Sequence, residues 1–269
     1  MTCHARRFAF LLIMNTLACS TSPLGRKQLT LLPDSQMNST GAQAFDEMKA
    51  KTPIEHDPGI NAYVNCVALP ITVAAKDQLQ VEHWEIVVFK DPTANAFALP
   101  GGKIGVHTGI LPVAKTDAQL AAVLGHETGH VIAKHGNERM SEALGENVGL
   151  AIVGGLAAGS ANHDLIVGAL GLGTQLGVTL PFTRTQESEA DLIGLDLMAR
   201  AGFDPRQAVE LWKNMMASGG GAPPEILSDH PSDANRIQAL QDHLPDAITK
   251  YNAAQTAGLR PHCARPARI

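Results

Sequence analysis

The sequence predicts an α+β fold, predominantly helical, with a small β-sheet packed beside one histidine-bearing helix. Aromatic residues make up only 4% of the chain, against 25 glycines, a balance that suits closely packed helices better than a β-sandwich. One run rich in β-branched and aromatic residues, His83 to Phe89, precedes two short runs flanking Pro100-Gly101-Gly102, which reads as a strand followed by a hairpin. From Thr116 onward the apolar spacing is mostly helical. With 269 residues, 45% of them hydrophobic, the chain can bury a substantial core and is too apolar for disorder. Lys+Arg 21 against Asp+Glu 26 leaves a net charge of −5, so nucleic acid is excluded as a partner on electrostatic grounds. Four cysteines do not make a disulfide scaffold in this length.

Residues 1–18 read as a signal peptide. Arg6 and Arg7 precede an apolar run, Phe8 to Met14, and the small Ala18 stands before Cys19. That run is too short to span a bilayer, which takes about 20 residues. Ala18-Cys19 resembles a bacterial lipobox, whose cysteine becomes the lipidated first residue. Thr16 stands where that motif has an aliphatic residue, and plain secretion is the alternative. Ser20 in place of aspartate favours the outer membrane of a bacterial periplasm. Residues 19–36 carry Ser22, Pro23, Gly25, Pro33 and Asp34 and read as an extended tether, leaving 37–269 as one domain. Helices are expected at 37–51 and 59–75, the second broken or kinked near Pro70. Strands follow at 83–89, 95–99 and 103–107. Val148 to Leu180 is mostly Gly, Ala, Leu and Val with a polar break at Asn162-His163-Asp164. Each apolar arm is short for a membrane span, so a buried helical pair is the expectation, with a membrane-touching flap as the alternative.

The chemical centre is His126-Glu127-Thr128-Gly129-His130. Thr116 and Gln119 form a capping box that starts a helix, and Gly136 can end it. Histidines four apart share a helix face, so both imidazoles can reach one zinc ion. Glu127 then stands beside the first ligand, where its carboxylate can take a proton from metal-activated water. A catalytic zinc wants three protein ligands and an open position. Thr183 and Gln186 repeat the capping box and open a second helix closing at Gly202. On it Glu187 and Asp191 sit one turn apart, in line with Gly194, Leu195 and Met198. Acids facing inward among apolar residues need a cation or hydrogen-bond donors. Glu187 is therefore assigned to zinc, and Asp191 to orienting a ligand histidine through its other ring nitrogen. Glu189 points elsewhere on the helix and reads as solvated. His135, five residues past His130, reads as rotated away from the site. His56, His83, His107, His163 and His243 lack partners at ligand spacing and read as surface or structural.

These residues resemble the gluzincin zinc metallopeptidases of the HtpX-like and CAAX prenyl protease-like family, most closely its soluble periplasmic lipoprotein branch. Beyond the two helices, the resemblance rests on Ser22-Pro23-Leu24-Gly25-Arg26-Lys27-Gln28-Leu29, on Asn95 to Gly102, on Gly202-Phe203-Asp204-Pro205, and on His230-Pro231-Ser232-Asp233. No tetratricopeptide-like extension follows, so a role needing that docking module is not implied. The resemblance implies a zinc metallopeptidase domain with one Zn2+ per chain, hydrolysing unfolded or extended polypeptides by metal-activated water. Its substrate strand would be Asn95, Ala96, Phe97, Ala98 and Leu99, reading peptide backbone by strand addition. His230 would act at the active site, either donating a hydrogen bond to the developing oxyanion or occupying zinc's open position in a resting enzyme. Membrane attachment would run through a lipid on Cys19. In an oxidising compartment Cys66 and Cys263 could pair and tie down the C-terminal tail. A non-proteolytic periplasmic chaperone or outer-membrane assembly lipoprotein with this fold is the rival reading. Glu127 argues against it, because a pure binding module has no need of a base beside its metal. An integral-membrane protease is a second rival, disfavoured by the short apolar runs.

Overall fold

In the computed structural model, which describes residues 19–154, 182–217 and 234–267, the segment expected to be an extended tether is a hairpin. Strand β1 (Cys19–Thr21) pairs antiparallel with β2 (Lys27–Leu29), with Ser20 opposite Gln28. The turn formers between them close on themselves: Ser22 N–H donates to the Arg26 carbonyl at 2.8 Å, and Arg26 N–H donates to Ser22 Oγ at 3.1 Å. Helix α1 (Asp34–Lys51) starts directly after Pro33, earlier than expected. It buries Met37, Ala44, Phe45 and Met48, which share one face at helical spacing. Helix α2 (Pro58–Ala74) is capped by Asp57, whose carboxylate accepts from Ile60 N–H at 2.9 Å, with Pro58 at the first helical position. It runs unbroken through Pro70. The proline lies near the C-terminal end, where it removes one donor, the partner of the Cys66 carbonyl, without ending the helix.

The main sheet has strand order β3-β5-β4. Strands β3 (Glu85–Phe89) and β5 (Lys103–His107) are parallel, with Val87 opposite Gly105; β4 (Ala96–Leu99) and β5 form the expected antiparallel hairpin, with Phe97 opposite Gly105. Gly101 and Gly102 turn it with φ of +84° and +76°, a left-handed backbone that side chains disfavour. An edge position is thereby fixed for β4, which has no strand partner on its outer side among the described residues.

Helix α3 (Asp117–Ile132) runs through the centre, against the sheet, α2 and the later helices α5 (Arg184–Arg200) and α6 (Arg206–Ala217). The main core joins Val64, Val67 and Ile71 of α2 with Ile104 and Val106 of the sheet, Leu120 and Leu124 of α3, and Leu197 of α5. In a second cluster under α1, Phe45 meets Phe89 and Phe97 edge-on at centroid separations of 6.0 and 6.1 Å, and Phe89 stacks on Phe97. Helix α4 (His135–Gly154) follows α3 after a tight turn, and α7 (Ala234–Thr256) packs on α5. Cys66 and Cys263 are joined in a disulfide with Cα atoms 5.6 Å apart. Beside it, the Arg265 guanidinium donates to the carbonyls of Leu111 and Ala114, so the C-terminal tail lies across the front of α3. No described helix is long and apolar enough to cross a membrane. Residues 1–18, and 155–180 of the apolar stretch, lie outside the described residues.

Candidate metal centre

Two glycine contacts set the distance between α3 and α5. A Cβ built on Gly129 would stand 2.7 Å from the Ala190 carbonyl oxygen, and one built on Gly194 would stand 2.6 Å from His126 N. The helix backbones touch there, which carries Glu187 to the two histidines. Both helices begin on threonine. At α5 the capping box is complete, Gln186 N–H donating to Thr183 Oγ1 and Thr183 N–H to Gln186 Oε1. At α3 the box is only half formed: Thr116 Oγ1 accepts from Gln119 N–H, but the Gln119 side chain accepts from Lys115 instead.

His126, His130 and Glu187 converge as a buried group able to hold one metal ion. The two Nε2 atoms are 3.1 Å apart; Glu187 Oε2 lies 3.4 Å from His126 Nε2, and Oε1 lies 3.5 Å from His130 Nε2. Tetrahedral zinc with bonds of about 2.0–2.1 Å spaces its ligand atoms about 3.3 Å apart. The donor set and its spacing therefore fit zinc.

Asp191 lies where the helix pattern predicts, its Oδ1 2.9 Å from His126 Nδ1. This hydrogen bond leaves Nε2 of His126 for the metal. Sequence reasoning missed Arg236 of α7. Its guanidinium is 3% exposed, donates from Nε and Nη2 to both Asp191 oxygens at 2.7 and 2.8 Å, and places Nη1 2.9 Å from Glu187 Oε2. Trp212 covers the guanidinium face at 4.0 Å. Burial opposes the charge on Asp191, but Arg236 and His126 hold its carboxyl below the usual range. Burial likewise opposes charge on His126, yet Asp191 and Glu187 push its pKa up to about 10 in the metal-free chain.

Two readings are overturned on the other side of the metal. Glu189 is not solvated: it is 5% exposed, and its carboxylate accepts from Ser22 Oγ and, at 2.7 Å, from Arg26 Nε. His135 is not rotated away. It is fully buried, with Nδ1 2.9 Å from His130 Nδ1 and Nε2 3.2 Å from Glu189 Oε2. Burial works against ionised Glu189, but bonds from His135, Ser22 and Arg26 outweigh it and bring the carboxyl down to about 2. Burial pushes the His135 imidazole below its ordinary value. Phe182 stacks on the His130 ring at 3.9 Å between centroids.

Glu127 is buried one residue from the first ligand. Ala98 of β4 and His130 border a common cavity of about 360 Å³, shared with Pro100, Lys134 and Phe182. Asn95 precedes β4, accepting from His107 N–H on its carbonyl and from Ala96 N–H on its side chain. His230 lies outside the described residues, as does His163. Of the remaining histidines, His107 is buried against Thr93, His243 meets Asp196 at 3.0 Å, and His56 and His83 are exposed.

A carboxylate beside two histidines one helical turn apart, with a third acidic ligand from a docked helix, defines the site of a metallopeptidase. The sequence profile of Peptidase family M48 matches residues 58–244, and the chain belongs to that family. It is 43% identical to mitochondrial metalloendopeptidase OMA1 of Schizosaccharomyces pombe over 171 residues, covering 62% of this chain and 48% of that protein. Metalloprotease LoiP of Escherichia coli K12 is 31% identical over 214 residues, covering 79% and 82%. The beta-barrel assembly-enhancing protease of Escherichia coli K12 is 29% identical over 233 residues, covering 83% and 45%. The chain spans about half or less of the length of the OMA1 relatives it matches.

Proposed function

We propose that the protein is a zinc-dependent endopeptidase that cleaves unfolded or misfolded envelope proteins, working in quality control as a lipoprotein of the bacterial periplasm. The observation that carries this reading is the cavity bordered both by ligand His130 and by Ala98 of β4, a strand whose outer edge has no strand partner among the described residues. His107 N–H pairs with the Asn95 carbonyl, and the antiparallel alternation then turns the backbone groups of Ala98 outward. An extended peptide added along Asn95 to Leu99 would be gripped by its main chain, without regard to most side chains. His126, His130 and Glu187 would hold zinc, which when bound supplies Lewis acidity that activates water and polarises the scissile carbonyl. Glu127 takes the proton of the attacking water and returns it to the leaving amine. Asp191 fixes the tautomer of His126, and Arg236 holds Asp191 and Glu187 in place. His230 is the remaining functional residue of this reading. His230→Ala lowers turnover roughly a hundredfold if the imidazole donates to the oxyanion, and raises it if the imidazole blocks the metal at rest.

The periplasmic lipoprotein assignment, with a lipid on Cys19 and the outer membrane as its site, is supported by the signal-like N-terminus ending at Ala18-Cys19, and the match to a bacterial metalloprotease over most of both chains is consistent with it. A chaperone or assembly factor without proteolysis is the competing reading, and buried Glu127 beside the ligands favours catalysis. Digestion of casein by the mature chain, with zinc content measured on the same sample, tests the proposal. Zinc-loaded protein that leaves casein intact both as wild type and as His230→Ala would refute it.

A further inference from the structure

We infer that the hairpin directly after Cys19 is a working part of the metal centre, its Ser22 and Arg26 acting through Glu189 and His135 as positioning residues for the zinc ligand His130. The inference rests on the reading that zinc occupies the His126–His130–Glu187 group. His130 meets that group through Nε2, so its proton sits on Nδ1 and is donated to His135 Nδ1 2.9 Å away. His135 must then carry its own proton on Nε2, which faces Glu189 Oε2 at 3.2 Å. One set of tautomers satisfies the whole chain, and it ends on the Glu189 carboxylate. The arrangement matches the Asp191 contact on His126 with one extra imidazole inserted.

Glu189 is aimed at His135 from outside. Ser22 Oγ donates to Oε1, and Arg26 Nε donates to Oε2 at 2.7 Å. Arg26 is itself held: Nη1 and Nη2 donate to the two Glu138 oxygens at 2.5 and 2.7 Å, and Gln186 Nε2 donates to Glu138 Oε2 at 2.7 Å. A fork of this shape fixes a carboxylate in direction as well as charge, which lysine cannot reproduce. Buried ion pairs gain little net stability over apolar packing, so stability alone does not explain a polar cluster that ends on a ligand's ring nitrogen. A segment more than 100 residues before His130 in sequence thus sets the orientation of that ligand.

The test uses the full mature chain and reads zinc affinity by competition with a chromogenic chelator, the visible spectrum of the cobalt-loaded form, and circular dichroism of the metal-free form. Arg26→Gln and Glu189→Gln each weaken zinc binding about 10- to 100-fold and shift the cobalt bands, with a native dichroism spectrum retained. Ser22→Ala, the mildest change, gives a smaller loss in the same direction and covers the case in which Arg26→Gln does not fold. In a His135→Phe background the relay is already cut, so adding Arg26→Gln weakens zinc no further. Wild-type zinc affinity in Glu189→Gln and Ser22→Ala, or multiplying losses in the Arg26–His135 pair, would overturn the inference. A wild-type chain that binds no zinc would instead overturn the reading of the centre itself.

Discussion

Replacing Gly194 by alanine tests whether helix separation positions the ligands. The new Cβ would stand 2.6 Å from His126 N and 2.7 Å from Gly125 C, whereas ordinary contact begins at 3.4 Å. Both neighbours are backbone in the middle of α3, so no side chain can swing aside. The helices must part by about 0.8 Å, the shortfall between these distances. Metal–ligand distances tolerate only about 0.2 Å, and His126 and Glu187 lie on opposite sides of the opened seam. Overpacking of this kind costs about 1–3 kcal/mol, which lowers the melting temperature of the metal-free chain by about 2–12 °C at this size. The effect on the site is larger. Zinc affinity should fall at least about tenfold, and peptide cleavage roughly a hundredfold, as for other displacements near 1 Å. Chelator competition, casein digestion and thermal melting on one preparation give the three numbers. A Gly194→Ala protein with wild-type zinc affinity and turnover would refute the argument that backbone contact sets the site.

The other expectations follow from single side chains. Glu127→Ala keeps zinc and abolishes cleavage, whereas Glu187→Ala loses most of the zinc as well; metal analysis beside a digestion assay separates base from ligand. Asp191→Asn weakens zinc about 10- to 100-fold, read by chelator competition. Arg236→Ala leaves Asp191 and Glu187 buried without its guanidinium and costs about 3–5 kcal/mol in urea unfolding. Arg236→Lys does not restore this, because the bidentate fork on Asp191 is lost. Reduction of the Cys66–Cys263 disulfide, or replacement of both cysteines by serine, lowers unfolding stability by about 2–5 kcal/mol. Urea titration with and without dithiothreitol checks that value.

The parts of the site legible in the sequence are those fixed inside one helix. His126 and His130 share a face because they are four apart, and Glu187 and Asp191 share a face for the same reason. The hairpin around Gly101-Gly102 is equally local. Arg236 left a weaker signal. Two inward-facing acids require a cation, and the demand was readable, but nothing near Arg236 marks it as the donor, since helix arginines are mostly solvated.

Glu189 and His135 show where single-helix reasoning fails. Glu189 is two residues from Glu187, about 200° around α5, and faces away from the metal. It becomes part of the site only because the β1–β2 hairpin and α4 fold over that side. His135 depends on one backbone angle. Continuing α3 to Gly136 would leave His135 five positions past His130, about 140° around the helix. The helix instead ends at Ile132, and Lys134 takes a left-handed φ of +57°, a conformation the sequence suggested for the nearby glycine. The Lys134 ammonium is held by Asp34 at 2.7 Å, which ties the turn to the start of α1. That reversal starts α4 at His135 and brings its imidazole back onto His130. Where a helix stops by one or two residues, rather than which residues it contains, decides whether a fifth-position histidine serves the metal or the surface.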